Sequence, residues 1–291
     1  FNWVEARSSD MSAPIDWTGC ETFNIGSGGP TFDYWNHLSD LSAMDELRFF
    51  SKALSFEEVQ DVYGGGYQPL DGETLYLPFN GNSTDLVSGA AATVVGTPGA
   101  AGEGVSGDEA YAGATDSYLT FPTTNLTGDE FSATMWYKIN ADPDRAGILV
   151  MGPPDTGNAE YPDVQNLRTN GFRFFREAGG DGQVFKLNVG NGTADSWFDG
   201  GATASIPSDT TDWVHLAFTI SGTECTVYIN GEVVSQGAFD GVDWSGCDVL
   251  SIGSGAPRFT QWNHKSDLSY IDELRLFNKA LTQTEIQDII N

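Results

Sequence analysis

Ile271-Asp272-Glu273-Leu274-Arg275-Leu276-Phe277-Asn278-Lys279-Ala280-Leu281 runs directly into Thr282-Gln283-Thr284-Glu285. It reads as a strand, a short polar turn and the start of a helix. Thr282 and Glu285 stand at the spacing of a capping box, in which the hydroxyl accepts from an early helix amide while the Glu reaches back to the cap residue. Leu281 and Ile286 take the flanking positions of a hydrophobic staple. The same grammar occurs earlier: Asp45-Glu46-Leu47-Arg48 leads through Lys52-Ala53-Leu54 to Ser55-Phe56-Glu57-Glu58, with Leu54 and Val59 as the staple. A short capped helix after a strand is therefore expected twice.

The two occurrences belong to a longer duplication at a constant spacing of 227 residues, the distance from Asp16 to Asp243. Asp16-Trp17-Thr18-Gly19-Cys20 returns as Asp243-Trp244-Ser245-Gly246-Cys247, and Ile25-Gly26-Ser27-Gly28 as Ile252-Gly253-Ser254-Gly255. Trp35-Asn36-His37-Leu38-Ser39-Asp40 returns as Trp262-Asn263-His264-Lys265-Ser266-Asp267. The period is far longer than that of a solenoid repeat, so this is a duplicated domain. The second copy has a long stretch ahead of the repeated part and the first has almost none. The expected organisation is the closing part of one domain over residues 1–66, a linker over 67–72, and a complete domain over 73–291. The rest of the first domain would come from upstream polypeptide or another chain.

Ahead of the closing string, the complete copy reads as short strands separated by turns. Leu75–Phe79, Phe131–Ile139, Gly171–Arg176, Val184–Val189, Trp213–Ile220 and Thr226–Ile229 are rich in aromatic and β-branched residues, partly with period two. Asn230-Gly231 is the pair that a two-residue type I′ hairpin prefers, because both residues tolerate positive φ. With 35 glycines punctuating the strands, the fold class expected is all-β, a two-sheet sandwich.

Composition narrows the functions. The 291 residues carry 13 Lys+Arg against 41 Asp+Glu, a formal net charge of −28, which repels polyphosphates and excludes nucleic acid as a partner. That acidity also offers hard oxygen ligands for calcium. No apolar run is long enough to span a membrane. Three cysteines leave one over. Cys225 and Cys247 open neighbouring apparent strands and either form a disulfide across an antiparallel pair, implying an oxidising compartment, or stay as buried thiols.

Taken together, Leu75-Tyr76-Leu77-Pro78-Phe79-Asn80-Gly81-Asn82 through Asp85, Trp213-Val214-His215-Leu216-Ala217, Val227-Tyr228-Ile229-Asn230-Gly231 and the closing Ile271–Leu281 string resemble the bacterial laminin-G-like, concanavalin A-like jelly rolls. The resemblance covers 68–291 throughout and 1–66 as a fragment. It implies a setting in large extracellular or cell-surface proteins of Bacteroidetes-type bacteria, beside polysaccharide-degrading machinery or in adhesins. It also implies a structural calcium between the opening segment and the closing strand, held by Asn80, Asp85 and Asp272, with Asp45 as the counterpart of Asp272. Those side chains otherwise serve turns and strand edges.

The same jelly roll hosts laminarinase-type hydrolases, whose paired carboxylates on one strand take the form Glu-x-Asp-x-Glu. That pattern is absent, as are the zincin, nucleophile-elbow and phosphate-loop motifs. The expected function is a non-catalytic carbohydrate-binding or adhesion module, with a structural or assembly module as the alternative and a hydrolase third. Sugar rings present apolar faces edged by hydroxyls, so an indole beside amide, carboxylate and guanidinium groups suits them. Arg258, Trp262, Asn263, His264 and Asp267 supply that mixture in one loop, with Trp197 and Arg173 as further candidates. The repeated loop retains Trp35, Asn36, His37 and Asp40, so the shared residues either bind ligand or build the loop.

Overall fold

The computed structural model describes residues 67–139, 144–180 and 182–291; of the first 66 it describes 15–20, 23–29, 32, 34, 39–42, 47–52, 54, 59 and 62. Tyr67–Asn291 belongs to one compact unit, and a second unit lies within the first 66 residues. The larger unit contains β1 Glu73–Leu77, β2 Thr93–Val95, β3 Gly99–Ala100, β4 Tyr111–Ala112, β5 Tyr118–Pro122, β6 Phe131–Lys138, β7 Arg145–Gly152 and β8 Asn170–Gly179. It continues with β9 Gly182–Asn191, β10 Asp195–Asp199, β11 Ser205–Pro207, β12 Val214–Ile220, β13 Glu224–Ile229, β14 Glu232–Ala238, β15 Val249–Ile252, β16 Tyr270–Phe277 and helix α1 Gln283–Ile290.

These strands make two antiparallel sheets, a jelly-roll sandwich as the sequence leads one to expect. The first runs β14-β13-β12-β6-β16-β4-β3 with β1 on β16, and the second β10-β9-β8-β7-β15-β5-β2 with β11 on β9. The alternating side chains of facing strands meet between them: Phe131, Ala133 and Met135 of β6 and Leu216, Phe218 and Ile220 of β12 pack against Phe172 and Phe174 of β8 and Phe185 and Leu187 of β9. Into this core the chain also places an ion pair. Arg176, on the inner face of β8, bonds Asp267 through Nε at 3.1 Å and Nη2 at 2.9 Å, and the Tyr137 hydroxyl donates to the same carboxylate at 2.6 Å.

Both outer faces are partly roofed. Leu281, just ahead of α1, and Ile286 within it lie over Ala217, Tyr228 and Phe277 of the first sheet. The capping box forms as read: Thr282 Oγ1 accepts from the Glu285 amide at 3.2 Å, and Glu285 Oε2 accepts from the Thr282 amide at 2.8 Å. On the second sheet Phe259 seals Val150 and Phe175. No helix among the described residues is long and apolar enough to cross a membrane.

The duplicated segments repeat their local bonding. The amide of Asp40 bonds Gly26 O at 2.8 Å and that of Asp267 bonds Gly253 O at 2.8 Å; Cys20 to Trp17 and Cys247 to Trp244 are both 3.0 Å. Isolated bridges Ser27↔Ser39 and Ser254↔Ser266 also correspond. The capping box expected at Ser55 and the first-copy loop around His37 lie outside the described residues.

The expected Cys225–Cys247 disulfide is corrected: both thiols are free. Cys225 sits in β13 opposite Ile220 and Gly237 in the first sheet. Cys247 does not open a strand; it lies in the turn before β15, which pairs with β5 and β7 in the second sheet. The two are not antiparallel neighbours, and burial holds both thiols above their usual range, Cys247 up to about 12.

Candidate functional site

The outer face of the second sheet is a grid set by strand register. Trp197 of β10 stands opposite Asn188 of β9, which stands opposite Arg173 of β8; in the next row Asp199, Lys186 and Phe175 align. Inward-pointing neighbours on each strand fill the core, so these side chains are forced outward. Two loops then cross the grid. The segment after β7 sends Leu167 and Arg168 over Arg173, whose Nη1 donates to the carbonyl of Asn170 at the start of β8 at 2.8 Å and whose Nη2 bonds Leu167 O. The segment after β15 closes with Gly255, where a Cβ would come within 1.9 Å of His264 O. Only glycine lets that loop fold back.

The loops meet at their crests. Thr260 and Gln261 donate their amides to Gln165 O at 3.0 and 3.4 Å, and the Gln165 amide donates to Thr260 Oγ1 at 3.0 Å. The result is a platform in which the Arg168 guanidinium lies 5.4 Å from the Trp197 ring centre and 5.5 Å from that of Trp262. Asp195 holds Arg168 at 3.2 Å. The indoles remain open, 43% and 44% exposed. Trp262 also has φ +59°. A bulky side chain in that region costs on the order of 1–3 kcal/mol, and such strain collects at functional sites.

Of the residues singled out from sequence, the structure brings Trp197 and Trp262 together and leaves Asn263 exposed beside them. His264 is buried below, stacked on Phe259 at 4.5 Å, with Nε2 3.0 Å from Glu177 Oε1. Asp267 belongs to the core ion pair. Arg173 is fully buried, and burial lowers its guanidinium to about 10. Arg258 Nε donates to Asp248 at 2.9 Å on the rim. Arg168, the residue that links the two indoles, carries no sequence signal, since its partners are distant along the chain.

The calcium implied by resemblance fits two of its four named residues. Asn80 Oδ1 is buried without a hydrogen-bond partner among the described residues. It abuts Gly107, where a Cβ would lie 2.0 Å away. In the same turn, the amides of Val105 and Ser106 donate to Asp272 Oδ2 at 2.7 and 3.3 Å, and burial raises that carboxyl to about 7. An unpaired oxygen and a buried carboxylate on one glycine-rich turn suit a hard cation. Asp85 fits less well: its oxygens accept from the amides of Tyr76, Val87 and Ser88 and from the Ser88 hydroxyl. Asp45 lies outside the described residues. No group of three or more His, Cys, Asp or Glu side chains gathers among the described residues, so backbone carbonyls would have to complete a shell.

A two-sheet jelly roll with exposed indoles on one face defines a class of lectin-like sandwiches. Residues 112–287 match the family described as the Concanavalin A-like lectin/glucanases superfamily, and the chain belongs to it. Comparison with curated proteins finds no match. Among solved structures, domain 4 of AbnA, a GH43 extracellular arabinanase from Geobacillus stearothermophilus in complex with arabinotriose, superposes with TM-score 0.55 at 21% identity, over 75% of this chain and 98% of that one. The binding domain of botulinum neurotoxin DC in complex with SialylT gives TM-score 0.52 at 13% identity, over 76% of this chain and 51% of that one. These likenesses are of fold.

Proposed function

We propose that residues 73–291 are a non-catalytic carbohydrate-binding module whose ligand rests on Trp197 and Trp262, within a larger extracellular or bacterial cell-surface protein. The observation that carries this is the pair of exposed indoles fixed about Arg168. Flat aromatic faces edged by Asp195, Asp199 and Asn263 match the C–H faces and hydroxyl edges of sugars. The sandwiches solved in complex with arabinotriose and SialylT are consistent with that ligand class on this fold.

The local electrostatics favour binding over hydrolysis. A glycosidase needs one carboxyl with a raised pKa to protonate the leaving group. Beside the platform, Glu177 accepts from His264 and pairs with Lys186, and these contacts lower it to about 2. A carboxyl held that low is a poor proton donor to a leaving group. Affinity electrophoresis tests the module: a polysaccharide should retard the chain, and Trp197→Ala or Trp262→Ala should abolish the shift. Retention by no glycan would sink the reading.

Calcium is proposed as a structural ion held by Asn80 and Asp272. Adding it should raise the melting temperature, by the equivalent of about 2.7 kcal/mol at a hundredfold excess over Kd, with the gain absent in Asp272→Asn. An equal gain in that variant would place the ion elsewhere.

A second reading, assembly, has its own observation. Trp17, Phe23, Ile25 and Phe49 of the first unit are exposed. If that unit is the closing part of a second jelly roll, those side chains would pack against the remaining strands of such a domain.

A further inference from the structure

We infer that the platform selects an uncharged glycan and seats two neighbouring sugar rings, one on each indole; this rests on the carbohydrate reading of the site. Charge favours a neutral ligand. Two cations beside the platform already have acidic partners: Arg168 has Asp195 at 3.2 Å, and Lys186 has Glu177 at 3.0 Å and Asp199 at 2.8 Å. Arg173 is spent on backbone carbonyls beneath the surface. A uronate or sulfate would have to displace Asp195 from Arg168 while approaching a chain of net charge −28. A neutral sugar meets no such barrier. Its hydroxyls donate to carboxylates that are already oriented, and its C–H face covers an indole at no electrostatic cost.

Spacing bears on the number of rings. Because the guanidinium centre is 5.4 Å from one ring centre and 5.5 Å from the other, the two centres are separated by no more than those lengths laid end to end. That bound keeps both indoles within reach of one short oligosaccharide. Arg168 holds the spacing fixed by touching both rings, and Asp195 holds Arg168. Order is thus built in before ligand arrives, which lowers the entropic cost of binding.

The test titrates the full chain, followed by tryptophan fluorescence and calorimetry, with cello-, laminari-, xylo- and arabino-oligosaccharides of one to six units. Oligogalacturonate, sulfated carrageenan oligosaccharides and sialyllactose form the anionic arm. At least one neutral series should bind, with affinity rising at least tenfold from one unit to two and flattening soon after. Trp197→Ala and Trp262→Ala should each weaken it at least tenfold, and Trp262→Phe should retain most of it. Binding of an anionic glycan that weakens steeply with salt and disappears in both alanine variants would overturn the neutral preference while leaving the carbohydrate reading intact. Affinity that is complete with a monosaccharide, or still climbing beyond four units, would overturn the two-ring seat. Binding indifferent to both tryptophans, in variants with unchanged near-ultraviolet dichroism, would remove the site and the inference together.

Discussion

Asp267 and Trp262 sit five residues apart in one retained loop, yet one holds the core and the other faces outward. Sequence brought both forward as ligand contacts because their types suit sugars; what separates them is burial, which residue type does not encode. Asp267 is buried against Arg176 and Tyr137, and removing one partner of such a pair strands the other charge in low dielectric. Asp267→Ala should therefore lose about 3–5 kcal/mol in urea unfolding, while Trp262→Ala should change little. Comparable losses in the two would contradict the division of roles.

His215 makes a second case at the same scale. It is 1% exposed, with its ring 5.3 Å from that of Trp136, and burial lowers its pKa to about 4. Above the unfolded value near 6.5 both states are neutral and nothing is lost. Between about 6.5 and 4 the unfolded chain takes up a proton that the folded one refuses, so stability falls by on the order of 3 kcal/mol. Urea midpoints at neutral pH and near pH 4.5 should show that fall, and His215→Leu should lessen it. An identical pH slope in the variant would assign the loss to other groups.

At the scale of elements, what the sequence showed plainly were signals with local causes. The capping box of α1 and the Asn230-Gly231 hairpin depend on residues a few positions apart, and both stand where the spacing put them. Asn230 and Gly231 take φ of 52° and 76°. β7 was harder to see: every residue of Arg145–Gly152 after the first is buried, because β8 and β15 flank it and Phe259 roofs it, so no alternation survives. The disulfide expectation failed for a related reason, since sheet membership is a long-range property that adjacent strands in sequence do not reveal. The helix offers a clean check. Thr282→Ala removes one acceptor and should cost about 1 kcal/mol, whereas Ile286→Ala also opens the cover over Ala217 and Phe277 and should cost about 2–5 kcal/mol. Equal costs would mean that α1 contributes little by packing.

At the scale of the whole molecule, the duplication makes one half a control for the other. Phe23, Ile25, Phe32, Leu47, Phe49, Phe50 and Val59 are between 41% and 69% exposed, while their equivalents Leu250, Ile252, Phe259, Leu274, Leu276, Phe277 and Ile286 are at most 1% exposed. The turns around them close with the same hydrogen bonds in both copies, so local sequence suffices for the turns. What differs is the covering surface: in the larger unit β5, β7, β8 and α1 bury these positions, and among the described residues of the first 66 no strands stand in for β5, β7 and β8. Exposed apolar side chains of this kind bind hydrophobic dyes and drive association. The full chain should therefore enhance the fluorescence of anilinonaphthalene sulfonate and sediment with a concentration-dependent mass. Residues 67–291 alone own a closed core and should do neither, with the main melting transition unchanged. Equal dye binding by both would show that these side chains are covered in solution, and that the first unit closes its core with what it has.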